Sequence, residues 1–208
     1  MSGEIQSTET KERIIKAAFK EFTEKGYTNA STNKIVEDAG VSKGVLFYHF
    51  GDKEKLYTYL VEHVTELLTE DILTRVDFEN SDVFDFLCKT TNTKLLTLTK
   101  YPLEVKLYTS AFISNDIPQS ARAVLDKNVE YAFQQMSEAM KRFDESLLKE
   151  GMDTEKVFKF IDWACKGMID EVVNNENLDY DMENYMKLSA KIENYFDFMR
   201  KLFYKEDK

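Results

Sequence analysis

The side chains best suited to chemistry in this sequence are grouped within residues 31–50, STNKIVEDAGVSKGVLFYHF. Lys43 supplies a cation, and Tyr48 and His49 each supply a hydrogen-bond donor within two turns of a helix. Cations and donors at such close spacing are the groups that contact phosphates and the edges of bases. The stretch therefore carries the kinds of group that a DNA-contacting surface requires.

Two short helices joined by a tight turn are expected to position these groups. Ser31 can cap the first helix, and Ser42 can cap a second helix that runs to about Phe50. Gly40 lies between them, and glycine most readily adopts the left-handed conformation that follows a helix. This pattern is typical of a helix-turn-helix, whose second helix enters the DNA major groove. Ser31 and Thr32 would then cap the first helix, donate to a phosphate, or do both.

Residues 26–57, GYTNASTNKIVEDAGVSKGVLFYHFGDKEKLY, resemble the DNA-binding domain of the tetracycline-repressor (TetR) family of bacterial transcriptional regulators. The matching residues are, in order, Gly26-Tyr27, Ser31-Thr32, Ile35-Val36, Ala39-Gly40-Val41-Ser42, Gly44, Tyr48-His49-Phe50, Lys53 and Leu56. The resemblance covers about the first 60 residues, and the remainder matches the family in length and helical character. It implies a three-helix DNA-binding domain over residues 1–52. Residues 53–208 would then form a helical domain for effector binding and dimerisation.

Composition independently predicts an all-α fold. The 208 residues include only 7 Gly and 2 Pro, with many good helix formers, and no run of alternating Val-rich strands occurs. About nine helices are expected, which is the number in the resembled family. Among them we predict a first helix over about 8–25 closed by Gly26, a connecting helix over 53–73, a long helix over 118–149, and two last helices over about 154–174 and 182–204.

Several classes of protein are disfavoured. No stretch approaches 18 uninterrupted apolar residues and the N-terminus lacks a signal-peptide core, so no membrane partner and a cytoplasmic location are expected. Cys88 and Cys165 fit no zinc or redox spacing, and the two histidines are isolated, so we predict no metal and no cofactor. The C-terminal part contains no catalytic constellation, and the protein is therefore not expected to be an enzyme.

The net charge of −10 is distributed unevenly along the chain. Residues 8–55 contain 9 Lys/Arg and 8 Asp/Glu, whereas residues 56–208 contain 19 Lys/Arg and 29 Asp/Glu. An acidic C-terminal part would repel DNA from every surface except the reading helix, which would favour one docking orientation. A solvated acidic surface that keeps the protein soluble explains the same numbers.

The resemblance assigns DNA contacts to Ser31, Thr32, Lys43, Gly44, Val45, Phe47, Tyr48, His49 and Lys53. Gly44 lets the backbone approach the DNA, or is a helix defect that costs about 1 kcal/mol. Val45 offers only apolar contact, for example to a thymine methyl. Phe47 lacks the phosphate-bonding hydroxyl of the tyrosine frequent in the family, so it is assigned to packing or base contact. Lys53 matches a phosphate-contacting lysine, or is simply an exposed lysine.

In the resembled family the middle helices enclose a pocket for a small, usually hydrophobic effector. The many aromatic residues of the C-terminal part are either core residues or the lining of such a pocket. The candidate ligand-binding residues are Tyr108, Phe112, Tyr131, Phe133 and Trp163. Glu104, Glu130 or Asp162 would give the pocket an acidic edge, which suits a cationic lipophilic effector.

The last two helices carry more apolar residues than one core-facing stripe requires. The resembled family dimerises through these helices, and a two-fold pair would bury the surplus as a four-helix bundle. The predicted dimer seam is Val157, Ile161, Ala164, Met168, Val172, Leu188, Ile192, Phe196 and Met199. Alternatively, the surplus packs within one chain against the long helix that begins at Pro118.

Together these features predict a ligand-responsive transcriptional regulator that binds palindromic double-stranded operator DNA as a homodimer. Repression, with release by a small-molecule effector, is implied by the family resemblance alone. A helical small-molecule carrier with a vestigial DNA-binding head is the alternative, for which the acidic charge and Phe47 are the arguments. An all-helical enzyme is a third class, supported only by the abundant carboxylates.

Overall fold

The computed structural model of the chain describes residues 2–173 and 182–205. Over these ranges the α-helices are α1 Ser2–Asn29, α2 Thr32–Ala39, α3 Lys43–Phe50, α4 Lys53–Leu73, α5 Val83–Lys100, α6 Pro102–Ile113, α7 Gln119–Met140, α8 Thr154–Val173 and α9 Met182–Phe203. A 3-10 helix, Glu145–Leu147, lies between α7 and α8. The described residues form no strand, although Leu148 and Tyr204 make an isolated antiparallel bridge. The all-α prediction is confirmed.

The chain divides into two compact units that each contain two segments of sequence. Unit 1 consists of Met1–Glu70 and Tyr101–Phe133, and unit 2 consists of Asp71–Lys100 and Gln134–Lys208. The domain boundary predicted at residue 52 falls inside unit 1. The division into a DNA-binding domain before it and an effector-binding domain after it stays a prediction. In neither described range is any helix long and apolar enough to cross a membrane.

Unit 1 is built around the apolar faces of its first four helices. The buried residues include Ile14, Ala18, Phe22, Ile35, Leu46, Phe50, Leu56, Tyr57, Leu60 and Val64. The rings of Phe22 and Tyr57 meet edge to face at 4.9 Å, which joins α1 to α4. Burial of the aliphatic and aromatic side chains is the main stabilising term, at about 1.5–3 kcal/mol for each. This core positions α3 on the outside of the unit.

Gly26 interrupts α1 where the sequence predicts a helix end. Its backbone has φ 69° and ψ 175°, and a short helical segment follows it to Asn29. A side chain at this φ would strain the backbone, which explains glycine at the break. The predicted start at residue 8 is too late, because helical geometry already begins at Ser2.

The α6–α7 connection in unit 1 is closed by Arg122. Its guanidinium donates to the carbonyl oxygens of Phe112 (3.1 Å), Ala111 (3.4 Å) and Ser114, which are acceptors at the end of α6. The last carbonyls of a helix have no partner within the helix, so these bonds satisfy them. Nearer the start of α7, Ser120 donates to Glu54 Oε1 of α4 at 3.0 Å.

Unit 2 packs α5, the end of α7, α8 and α9 around a separate core. Its buried residues are Val83, Phe84, Phe86, Leu87, Leu95, Ala139, Leu148, Val157, Ile161, Ile192, Phe196, Met199, Phe203 and Tyr204. Asp82 caps α5 by accepting from the backbone of Phe84 and Asp85, both at 3.0 Å. It also accepts from Arg200 at 2.9 Å and from Tyr204 at 3.1 Å, which fixes the end of α9 beside the start of α5.

The predicted long helix over 118–149 is wrong at its C-terminal end. Helix α7 stops at Met140, and Asp144 then caps the 3-10 helix by accepting from Ser146 N at 2.9 Å. The following residues pair with the end of α9, since Lys149 N donates to Phe203 O at 2.9 Å and Lys205 N donates to Leu147 O at 3.0 Å. These long-range bonds compete with continued helix.

Candidate DNA interface

The turn between α2 and α3 has the geometry that the sequence predicts. Gly40 adopts φ 63° and ψ 40°, the left-handed conformation, and its N–H donates to Glu37 O at 3.1 Å. Val41 N donates to Val36 O at 3.0 Å, so the last carbonyls of α2 are satisfied. The left-handed residue reverses the chain within a few residues and brings α3 against α2.

Helix α3 is anchored at both ends by local hydrogen bonds. Ser42 Oγ accepts from Val45 N at 3.3 Å, which confirms the predicted cap. After α3, Asp52 Oδ1 accepts from Lys55 N at 2.8 Å and begins α4. Leu46 and Phe50 are buried, so one side of α3 faces the core of unit 1 and the other is presented outward.

The outward side of α3 carries the exposed residues Lys43, Gly44, Phe47 and Tyr48. Tyr48 is 85% exposed and Phe47 is 36% exposed. Val45 and His49 are half-buried, and the His49 ring meets the Tyr48 ring edge-on with centroids 5.4 Å apart. The surface thus combines a hydroxyl, an imidazole and an ammonium with one exposed apolar ring.

The Lys43 ammonium is held by two neighbours. It donates to Asn33 Oδ1 of α2 at 3.2 Å, and it lies 5.8 Å from the centroid of the Phe47 ring. Asn33 is absent from the predicted site. The only sequence signal for it is an exposed amide in the first turn of α2, because its contact with Lys43 depends on the turn between the helices.

Ser31 and Thr32 begin α2 but the capping prediction for Ser31 is wrong. Ser31 occupies the cap position with extended backbone, yet its side chain makes no capping hydrogen bond. Its backbone N–H instead donates to Glu21 Oε1 at 2.9 Å. The Ser31 side chain is exposed and that of Thr32 is half-buried, so the Ser31 hydroxyl lies on the surface at a helix N-terminus, where the dipole favours an anion.

Lys53 is engaged by unit 1 itself. Its ammonium donates to Thr28 O at 3.2 Å and lies 4.8 Å from the centroid of the Tyr27 ring. Burial lowers the pKa of Lys53, and the nearby Glu21 carboxylate opposes that effect. These contacts hold the start of α4 beside the end of α1, and a phosphate contact by Lys53 stays a prediction.

The five aromatic residues predicted to bind an effector are divided between the two units. In unit 1 the rings of Tyr108 and Phe112 stack with centroids 6.1 Å apart, and Tyr131 and Phe133 of α7 are exposed. Tyr108 OH donates to Asn128 Oδ1 at 3.3 Å, and burial raises the pKa of Tyr108. Trp163 of unit 2 is exposed, and the Lys159 ammonium lies 5.5 Å from its ring.

No group of three or more His, Cys, Asp or Glu side chains within the described ranges is arranged to hold a metal ion. A narrow cleft in unit 2 is lined by Asn80, Ser81, Val83, Phe86, Ala139, Met140 and Phe143. None of the five predicted ligand-binding residues lines this cleft.

The predicted dimer seam is largely inside one chain. Its members Val157, Ile161, Ile192, Phe196 and Met199 are buried in the core of unit 2. Ala164 and Met168 are half-buried against the same core, whereas the side chains of Val172 and Leu188 lie outside the described part of the structure. A side chain enclosed by its own chain offers little surface to a second copy, so these five residues favour a role in the core of unit 2, and the seam stays a prediction.

A different apolar surface of α8 and α9 is exposed. It consists of Phe160, Trp163, Tyr195, Phe198 and Leu202, and we call it the outer face. Tyr195, Phe198 and Leu202 recur at the spacing of one side of a helix, as do Phe160 and Trp163. An ion pair between Glu171 of α8 and Lys191 of α9 joins the two helices at 2.5 Å. The surplus of apolar residues is therefore real, and it lies off the predicted seam.

Comparison with known proteins finds likeness to regulators in the amino-terminal segment. Residues 14–60 match the family model of bacterial regulatory proteins, tetR family. The HTH-type transcriptional repressor AcnR of Corynebacterium glutamicum is 34% identical over 73 residues, which are 33% of this chain and 39% of AcnR. The HTH-type transcriptional repressor NicS of Pseudomonas putida is 36% identical over 59 residues, which are 28% of each chain. The chain thus spans about a third of the length of these relatives.

Solved structures resemble this chain over nearly its whole length. A TetR family transcriptional regulator from Chloroflexus aurantiacus has a TM-score of 0.65 at 18% identity, covering 96% of this chain and 95% of that one. The SmeT–triclosan complex has a TM-score of 0.64 at 19% identity, covering 95% and 92%. SmeT is the repressor of the Stenotrophomonas maltophilia multidrug efflux pump SmeDEF. At these identities the likeness establishes a shared fold.

Proposed function

We propose that this chain, a member of the tetR family of bacterial regulatory proteins through its residues 14–60, is a transcriptional regulator that binds operator DNA. The observation that carries the proposal is the outward side of α3. It is held rigidly by buried Leu46 and Phe50 and presents Lys43, Phe47 and Tyr48 to solvent. In a helix-turn-helix this is the side that enters the major groove.

The contacts divide into phosphate binding and base reading. Tyr48 and His49 lie near the end of α3 and offer hydrogen-bond donors for phosphate oxygens, as do the hydroxyls of Ser31 and Thr32 at the start of α2. Such contacts orient the helix-turn-helix on the DNA but do not distinguish one base sequence from another. Gly44 carries no side chain, so the backbone of α3 approaches the base edges closely.

A homodimer is the second part of the proposal. The outer face on α8 and α9 exposes five large apolar side chains, which a two-fold pair of the same surfaces would bury. Two heads would then meet successive major grooves about 34–36 Å apart, or a multiple of that distance, so the operator is palindromic. The exposed outer face supports this assignment better than the predicted seam.

Control by a small hydrophobic effector is the third part, with repression as the ground state, as in the relatives named repressors. In unit 1 the stacked pair Tyr108–Phe112 offers an aromatic surface, and Asn128 adds a polar group that also donates to Thr69 Oγ1 at 2.8 Å. Thr69 belongs to α4, which is separated from α3 by only two residues. An effector bound at Tyr108 would thus displace α4, the helix that directly follows the helix-turn-helix.

Salt titration of binding to random duplex DNA tests the central proposal. Lys and Arg contacts with phosphates release counterions, so affinity must fall steeply as salt rises, with a slope of about −0.9 for each phosphate neutralised. We expect measurable binding at low ionic strength with such a slope. Binding that is absent, or that does not change with salt, would contradict a DNA-binding function and favour the carrier.

Triclosan, the ligand in the SmeT complex, is a suitable first probe of effector control. By linkage, an effector that weakens DNA binding by some factor must itself bind more weakly by the same factor when DNA is present. We expect both effects with duplex selected for tight binding. A compound that raises thermal stability yet leaves DNA affinity unchanged would be a cavity filler and not an effector.

A further inference from the structure

The helix-turn-helix has no arginine with which to read guanine. Between Arg13 and Arg75 the sequence contains no arginine, although Arg or Lys bonded to guanine O6 and N7 is the commonest specific base contact. The helices α2 and α3 contain two lysines, Lys34 and Lys43. Any guanine reading by these helices through a cation must therefore use one of them.

Both lysines are already engaged. Lys34 pairs with Glu37 at 3.2 Å and with Asp38 at 2.9 Å, all within α2. Lys43 is drawn toward α2 by its hydrogen bond to Asn33, and in this motif α2 is the helix that crosses the DNA backbone. With its amide oxygen occupied, Asn33 is also not free for the bidentate contact that amides make with adenine.

Apart from Tyr48, whose hydroxyl is assigned to a phosphate, the remaining outward surface of α3 is mostly apolar. Gly44 offers no side chain, Val45 is aliphatic and half-buried, and Phe47 is 36% exposed. The only apolar group on the major-groove edge of a base pair is the thymine 5-methyl. A surface of this kind gains free energy by removing methyl groups from water, and it offers nothing to the polar edge of a guanine–cytosine pair.

We propose that α3 reads its operator through contacts of Phe47 and Val45 with thymine methyl groups, while Asn33 holds Lys43 for a backbone phosphate. The inference rests on the proposed function and names its DNA ligand as a half-site rich in thymine. Phe47 is then the specificity-determining residue and Asn33 a positioning residue. Phenylalanine at position 47, in place of the tyrosine frequent in the resembled family, then serves base recognition.

The test begins with selection of tight-binding duplexes from a random library, using the full-length protein. The thymidines of each selected half-site are then replaced with deoxyuridine, which removes the methyl group and keeps every hydrogen-bonding group. We expect affinity to fall about fourfold for each contacted methyl, from the transfer free energy of one buried methyl group. Phe47→Ala should bind more weakly and should lose the preference for thymidine over deoxyuridine at the positions that Phe47 contacts, while any position contacted by Val45 keeps it.

Matched variants separate reading from phosphate binding. Lys43→Ala should weaken selected and random duplexes by the same factor, reduce the salt slope by about 0.9, and keep the preference for thymidine. Asn33→Ala should reproduce part of that loss and have no further effect when Lys43 is already alanine, because it acts through Lys43. Since the side chains of Asn33, Lys43 and Phe47 are all exposed, circular dichroism should show unchanged folding in each variant.

Two results would overturn the inference in distinguishable ways. In the first result, replacing thymidine with deoxyuridine has no effect and the selected duplexes are rich in guanine. Replacing guanine with 7-deazaguanine then lowers the affinity of the unaltered protein but not that of Lys43→Ala. This result would assign base reading to Lys43 and leave the proposed function intact. No enrichment of any duplex and no salt-dependent binding would reject the DNA-binding function and the inference together.

Discussion

The ammonium of Lys100, at the end of α5, lies 2.7 Å from Asp71 Oδ1, near the end of α4. Thr97 Oγ1 donates to the other carboxylate oxygen at 2.8 Å, and Arg75 also pairs with that oxygen. The Asp71 side chain is 10% exposed. Asp71 and Lys100 are the first and last residues of one sequence segment of unit 2, so the contact closes that segment on itself.

Asp71→Asn should destabilise the protein at neutral pH and change its response to acid. Burial alone raises the pKa of Asp71, but hydrogen bonds from Lys100 and Thr97 and the charge of Arg75 outweigh it, so the net pKa lies below its ordinary value. Stability from this carboxylate is therefore present above the ordinary pKa, about 4, and is lost as pH falls through the lower folded-state pKa. We expect a loss of roughly 1.5–3 kcal/mol at pH 7.

Urea denaturation at a series of pH values from 7 to about 2.5 measures this effect. The stability difference between the unaltered protein and Asp71→Asn should shrink as the solution is acidified, because both chains then carry a neutral group at position 71. A difference that stays constant over the whole pH range would contradict a charged Asp71 in this cluster.

Tyr48→Phe should weaken selected and random duplex DNA alike. The side chain is 85% exposed, and its removed hydroxyl is proposed to donate to a charged phosphate oxygen, a bond worth roughly 1.5–3 kcal/mol. A loss of about tenfold or more is expected, with the salt slope unchanged because tyrosine is neutral. Tyr131→Phe, which removes an exposed hydroxyl from α7, is the control and should bind DNA normally when no effector is present. A loss confined to selected duplexes would instead make Tyr48 a base-reading residue.

Phe198→Glu should convert a dimer into monomers. Phe198 is 63% exposed at the centre of the Tyr195–Phe198–Leu202 row, and two carboxylates would face each other across the two-fold axis. Met186→Glu is the matched control, since Met186 is 60% exposed on the same helix but lies nine residues from Tyr195, about two and a half turns away and hence on the opposite side. Sedimentation velocity should show monomers for the first variant and dimers for the second. Equal behaviour of the two would place the interface elsewhere.

Ile192→Ala should lower stability without acting directly on assembly. Ile192 is 6% exposed in the core of unit 2, and truncating such a side chain costs roughly 2–5 kcal/mol through lost burial and the cavity left behind. Thermal unfolding at two protein concentrations separates this from an interface effect, because dissociation makes the midpoint depend on concentration. If Ile192→Ala were fully folded yet monomeric at temperatures far below its unfolding midpoint, Ile192 would belong to the dimer interface as the sequence predicted.

The helix-turn-helix could be predicted from sequence because its determinants are local. The left-handed Gly40 and the Ser42 cap act over no more than four residues, and both bonds are present as expected. Ser31 shows the limit of that reasoning. Its side chain makes no capping bond, and its backbone N–H is taken by Glu21, ten residues earlier in α1. Whether a local bond forms depends on competitors that sequence spacing does not identify.

The sequence by itself determined the helical periods, the turn chemistry and the presence of surplus apolar residues on α8 and α9. Only the tertiary structure decided which side of those helices is inside, with Ile192 buried and Phe198 exposed. It likewise decided that α7 ends at Met140 and that Lys43 is held by Asn33. The physical reason is distance along the chain. Caps and turns are satisfied by neighbours within about four residues, whereas burial and long-range hydrogen bonds depend on which distant segment supplies the partner.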